Sequence, residues 1–195
     1  KIQLNEGRGM NQPVANGLQR AVDSIQLKLT EYARGLRYDD LPPEVVHAAK
    51  VRVIDTLGSL IGGFFADPCR IAREVAAAMS NPAGATVIGT RIKTTPEMAA
   101  YVNAATARYV EMNDIYHWPG AFGGHPSDVL TPVLAAAEHA GSSGRDLITG
   151  VVLAYEVYQS FSDVFRNVGM GFDHTNFCTL GSAVGAGKLF GLSAA

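Results

Sequence analysis

The chain has 195 residues, 47% of them hydrophobic and 17% charged, with a formal net charge of −2 from 16 basic and 18 acidic side chains. That length supports one sizeable core, or one domain plus part of another. The balanced charge, with no basic block or arginine stripe, argues against a nucleic-acid partner, and no run reaches the ~18 consecutive apolar residues of a membrane span.

Residues 1–22 are polar and glycine-bearing, with no apolar core of the kind a signal peptide needs, and read as a flexible tail or leader. Asp23 or Ser24 then caps a first helix that runs to about Gly35. Pro42-Pro43-Glu44 opens a second helix. Its Val46, Ala49, Val53, Leu57 and Leu60-Ile61 follow the spacing of a buried stripe. Asp67-Pro68 restarts the helical pattern. Residues 84–96 break it: Thr86, Val87, Ile88 and Ile92 around a Gly-Thr turn predict a short β-hairpin. Thr95-Pro96-Glu97 starts another long helix, EMAAYVNAATARYVEMND. If it continues to Asp114, it sets Arg108, Glu111 and Asp114 on one face. After a Gly/Pro-rich loop, Ser127 is placed to cap the helix DVLTPVLAAAEHA, and two more helices follow, from Gly144 to Asn167 and from Thr175 to Leu192. The fold class is mainly α, a helical bundle carrying a short β-hairpin. Cys69 and Cys178 show neither CxxC nor zinc spacing and read as free thiols, which suits a reducing, cytoplasmic setting.

Polar chemistry concentrates in EMNDIYHWPGAFGGHPSDVL, Glu111 to Leu130, where three acids and two histidines share twenty positions with five Gly or Pro residues. Glu111 and Asp114 are spaced for an acid/base or binding pair. The plainer arrangement is Arg108 paired with Glu111 on a solvated face, with Asp114 bound to its own backbone. His117 and His125 lie in the loop. Gly123-Gly124 permits tight geometry before His125, and Pro126 opens a helix whose N-terminal N–H groups favour an anion. GMGFDHTNFCTLGSAVGAGK, residues 169–188, repeats the layout: glycines, then Asp173-His174, then a helix rich in small residues. There His174 either serves the site or merely caps its helix. GSAVGAGKLF departs from the P-loop pattern at Ser182 and Leu189, no GxSxG or HExxH is present, and the acid and histidine spacing matches no metal template.

Taken in order, E-M-N-D-I-Y, G-H-P-S-D, F-D-H-T and T-L-G-S-A-V-G-A-G-K-L-F-G-L, preceded by VIDTLGSLIGG, resemble the helical domain of the MmgE/PrpD family over about residues 26–195. The resemblance implies a two-domain, cofactor-independent enzyme acting on small di- or tricarboxylates, usually as a homodimer. A helical domain and a smaller α/β domain would enclose its site. Residues 23–195 would then be the helical domain, cut short at its C-terminal end, and the remaining site residues would lie beyond Ala195. Position by position, Glu111 falls where the family commonly has an aspartate, His125 on the histidine of its G/T-H-P-S motif, His174 on the histidine before the last helix, and Asp114 on the acid of its N/D-D pair. Glu111 is one methylene longer than the family's residue, and Ile115 replaces a common threonine. The expected catalytic set is His125, His174 and Glu111, with Asp114, His117 and Ser127 at the substrate. The expected reaction is dehydration of a 2-methylcitrate-like hydroxy acid. Epimerisation or decarboxylation of a similar acid, or a non-catalytic helical dimerisation domain, are the alternatives.

Overall fold

Asp23 accepts the Ile25 N–H at 2.8 Å, and this cap launches α1, Ser24–Gly35. The computed structural model describes residues 23–118, 121–165 and 171–193, so the reading of residues 1–22 lies outside it. Seven α-helices are described: α1, α2 (Pro43–Gly63), α3 (Asp67–Ala78), α4 (Pro96–Arg108), α5 (Leu130–His139), α6 (Gly144–Val164) and α7 (Thr175–Leu189). Proline at the first helical positions starts α2, α3 and α4, where its missing N–H costs nothing. Ser143 and Asp146 close a capping box on α6. The predicted hairpin forms from β1, Ser80–Thr86, and β2, Lys93–Thr94, which pair antiparallel. A second, two-residue pairing joins β3, His117–Trp118, to β4, Ala121–Phe122. The mainly α reading holds.

The core runs along α6. Leu153, Ala154, Val157 and Tyr158 have no measurable exposure and pack with Val129 and Val133, with Phe177 of α7 beside them. Each such valine, leucine or phenylalanine side chain contributes roughly 1.5–3 kcal/mol by leaving water. The small residues of α7 let its backbone approach α6 closely: a Cβ on Gly181 would stand 2.6 Å from the Ala154 carbonyl oxygen. This contact fixes the N-terminal end of α7, and so His174, against the end of the loop before α5.

Several boundaries differ from the sequence reading: the sixth helix stops at Val164 rather than Asn167, and the hairpin begins at Ser80 rather than at residue 84. The fourth helix stops at Arg108 rather than Asp114, and Glu111 takes a left-handed φ of 52°. Pro126–Val129 forms a 3-10 turn ahead of α5, and the Ser127 hydroxyl caps neither element. The last helix ends at Leu189. Cys69 and Cys178 are free thiols, as expected. Among the described residues no helix is long and apolar enough to cross a membrane.

Candidate active site

Because α4 ends early, Glu111 and Asp114 do not share a helix face. Chain reversal at Glu111 instead sends them in different directions. Glu111 stays at the surface, with its side chain 67% exposed, while the Asp114 side chain is 6% exposed and turned inward. Asn113 is buried and accepts from Arg108 Nη1 at 3.2 Å, and the Ser59 hydroxyl donates to the Met112 carbonyl at 3.4 Å. These two bonds pull the segment off the helical path. A non-glycine residue in the left-handed region costs about 1 kcal/mol or more, and such strain recurs at functional sites.

Asp114 organises the loop twice over. Its carboxylate accepts the Ser127 N–H at 2.9 Å and the Tyr155 hydroxyl at 3.1 Å, with Arg52 Nε 3.9 Å away. Burial, followed by the Asp114 charge, pushes the Tyr155 hydroxyl far above its ordinary range, so it remains a donor. The Asp114 main-chain carbonyl lies 2.8 Å from His125 Nδ1. A carbonyl can only accept, so Nδ1 carries a proton and the neutral ring keeps its lone pair on Nε2. That nitrogen stands 3.5 Å from Glu111 Oε1. His125 is therefore a buried imidazole with its basic nitrogen directed at the exposed acid.

The second histidine meets the first across a glycine. Gly124, at φ 79°, sits so close to His174 that a Cβ there would lie 2.2 Å from its ring. The His125 and His174 rings lie 5.6 Å apart, tilted by 66°. His174 Nδ1 is 3.0 Å from Asp173 Oδ1, and its Nε2 is 3.6 Å from Asp128 Oδ2. The other oxygen of Asp128 is 3.3 Å from Arg108 Nε, and Arg108 Nη2 donates to Glu111 Oε1 at 3.1 Å. Polar contacts thus run in a chain through His125, Glu111, Arg108, Asp128 and His174, and the edge-on contact of the two imidazoles joins its ends. Burial raises the Asp128 pKa above the ordinary carboxylate value, opposed by the charges of Arg108, His174 and His125. Cys178, 3.9 Å from Asp128, is pushed up to about 12, first by burial and then by the Asp128 charge, so it stands there as an unreactive thiol.

Of the sequence-predicted residues, His125, His174 and Glu111 come together, and Asp114 and Ser127 brace the loop that carries His125. Ser127 is 2% exposed, and its hydroxyl makes no hydrogen bond among the described residues. His117 lies apart: it is exposed on β3, and none of the described hydrogen bonds or ion pairs joins it to the cluster. Asp128 and Tyr155 were not foreseen as site residues. Asp128 directly follows the Ser127 that draws attention as a cap, and Tyr155 comes from α6, forty-one residues from its partner.

Residues 27–195 match the model of the MmgE/PrpD N-terminal domain. The chain is 30% identical over 180 residues to a human protein named cis-aconitate decarboxylase, covering 87% of this chain and 37% of that one. It is 29% identical over 184 residues to a 2-methylcitrate dehydratase of Cupriavidus necator, covering 88% and 37%. Against the 2-methylcitrate dehydratase of Escherichia coli O157:H7 the identity is 25% over 191 residues, covering 91% and 38%. The chain thus spans a little over a third of the length of these relatives. A helical domain that sets two histidines and two acids around one arginine, and that matches the family's N-terminal model along nearly its whole described length, belongs to the MmgE/PrpD family.

Proposed function

We propose that this segment supplies the proton-transferring wall of a lyase that dehydrates a small hydroxy di- or tricarboxylic acid of the 2-methylcitrate kind. Two relatives named 2-methylcitrate dehydratase support the reaction class. The observation that carries the reading is the pair of imidazoles 5.6 Å apart, with different polar partners. His125, protonated on Nδ1 by its carbonyl partner, offers Nε2 as a base. In the reaction it takes the proton from the carbon next to a substrate carboxylate. The electron pair left behind forms the new double bond as the β-hydroxyl leaves. His174, flanked by Asp128 and Asp173, gives that hydroxyl a proton so that it departs as water. Glu111, tethered by Arg108, orients His125.

The local charge sharpens the requirement. Glu111, Asp114, Asp128 and Asp173 outnumber Arg52 and Arg108 around the cluster. A polyanionic substrate needs further cations, and in this reading the rest of the longer polypeptide provides them. The enzyme would work without a cofactor, as a cytoplasmic homodimer with a smaller α/β domain closing the site. A second reading, decarboxylation, draws support from the relative named cis-aconitate decarboxylase. It needs the same acid to protonate the carbanion left by CO₂, and epimerisation needs an acid and a base on opposite faces of one carbon.

Proton NMR in D₂O tests the proposal, with the intact protein and 2-methylcitrate, citrate, cis-aconitate or an amino-dicarboxylate. Alkene product with deuterium entering beside a carboxylate is the expected result. Exchange without alkene would point to epimerisation, and CO₂ loss to decarboxylation. A His174→Ala variant that kept its full rate would remove His174 from the mechanism.

A further inference from the structure

Tyr158 is the largest of the fully buried side chains, and it ends in a hydroxyl. That hydroxyl donates to the Gly123 carbonyl, and none of the other described hydrogen bonds reaches this oxygen. Burial pushes the Tyr158 hydroxyl far above its ordinary range, so it stays a donor. Gly123 stands two residues before His125 and directly before Gly124, against which the His174 ring lies. The Tyr158 ring meets Phe177 edge-on, with centroids 5.9 Å apart, and the Phe177 N–H donates to the His174 carbonyl at 3.0 Å. One side chain of α6 thus touches the supports of both imidazoles.

We infer that Tyr158 is a positioning residue that sets the separation of the His125 and His174 rings, through its hydroxyl on the loop and its ring on the start of α7. Other polar side chains of α6 also reach the loop, but at its outgoing arm. Tyr155 donates to Asp114, and Asp163 accepts from the Tyr116 hydroxyl. The returning arm is paired to Tyr116: the Tyr116 N–H donates to the Gly124 carbonyl at 2.8 Å, and its carbonyl accepts the Gly123 N–H at 2.9 Å. Tyr155 and Asp163 therefore hold that arm only at second hand. Among these polar side chains Tyr158 grips it directly. A Cβ on Gly123 would stand 2.8 Å from Ser162 Oγ, so the arm lies against the helix where the hydroxyl can reach it. A buried carbonyl left without its donor is costly, and the arm would move to find another once the hydroxyl is gone. A displacement of about 1 Å at a reacting group lowers a rate by roughly 10²-fold.

This inference rests on the proposed function for its catalytic meaning, but its first test needs no turnover. Tyr158→Phe keeps the ring and removes only the hydroxyl. In the intact protein with isotope-labelled histidine, the rings of His125 and His174, 5.6 Å apart, are expected to show a nuclear Overhauser effect between them. In Tyr158→Phe both imidazole signals should move and that effect should weaken, while His139, bonded to the Ala83 carbonyl, keeps its signal. With an active substrate, kcat should fall about tenfold or more and KM change less than about threefold. Val87→Ala, in the separate cluster of Ala76, Val87 and Val102, is the control for lost stability: it should leave both imidazoles and kcat as in the wild type.

Unmoved imidazole signals in a folded Tyr158→Phe would overturn the inference. So would a fall in kcat no greater than that of Val87→Ala. Should Tyr158→Phe fail to fold, Phe177→Leu tests the other contact: the ring-to-ring effect should weaken there too, and an unchanged effect would reject the role of Tyr158. A protein that turns over none of these substrates, yet shows the moved signals, rejects the proposed reaction and leaves the positioning by Tyr158 standing.

Discussion

Glu111 combines an exposed carboxylate with a left-handed backbone, and the two make opposite demands. Glycine at this position would relax the backbone by about 1 kcal/mol, and the lost Arg108 pair is exposed enough to return little of that gain. Glu111→Gly should therefore raise the thermal midpoint by a few degrees in calorimetry, while proton exchange in the assay above falls at least tenfold. Gly124 behaves in the reverse sense. Alanine there would meet the His174 ring at 2.2 Å with φ at 79°, so Gly124→Ala should displace the imidazole, lower stability by roughly 2 kcal/mol or more and remove exchange. Thermal unfolding alongside the exchange assay separates the two variants: one loses activity with a gain in stability, and the other loses both.

At the scale of elements, the sequence was informative wherever a single side chain decides the outcome. Prolines mark the starts of α2, α3 and α4, and Asp23 marks α1, because each acts on its own backbone neighbours. Asp23→Ala should cost about 1 kcal/mol, measurable by urea unfolding. The end of α4 was not legible, because Asn113 and Met112 are drawn out of the helix by Arg108 and Ser59, the latter from fifty-three residues away. The candidate site was legible as residue types in order. What joins them was hidden in tertiary contacts, and Asp128 stayed unnoticed for that reason. Hairpin docking shows the same dependence on distance. Glu138 of α5 accepts the Thr86 N–H at 2.7 Å and its hydroxyl at 2.5 Å, with Lys93 Nζ at 3.3 Å. Burial alone would raise the pKa of this acid, but the Thr86 and Lys93 partners outweigh it and hold it below the ordinary glutamate value. The folded state therefore prefers the ionised form. Its contribution is complete above the unfolded glutamate pKa and is lost as pH falls through the lowered folded value. Glu138→Gln should remove that part of the acid-side slope in a plot of stability against pH.

Across the whole molecule, α2 is apolar on two opposite faces. Leu60 and Ala49 are buried inside, while Val51, Ile54 and Ile61 line the outer face at exposures of 44%, 69% and 70%, and Phe65 in the turn after the helix is 87% exposed. Met112 and Ile115 add to the exposed apolar surface near the cluster, at 72% and 61%. Patches of this kind mark surfaces that bind other protein surfaces. In sedimentation, the 195-residue segment alone should show an average mass that rises with concentration. An Ile54→Lys, Ile61→Glu variant should reduce that rise with only a small change in thermal midpoint, since neither side chain belongs to the core.

The bond that orients His125 has one further consequence. Its acceptor is a main-chain carbonyl, an atom that every amino acid at position 114 would supply. Mutation can erase Glu111, Arg108 or Asp128 in one step, but it can weaken this support of His125 only by moving the backbone. Proteins built on this scaffold can therefore exchange the groups around this imidazole while inheriting its orientation unchanged.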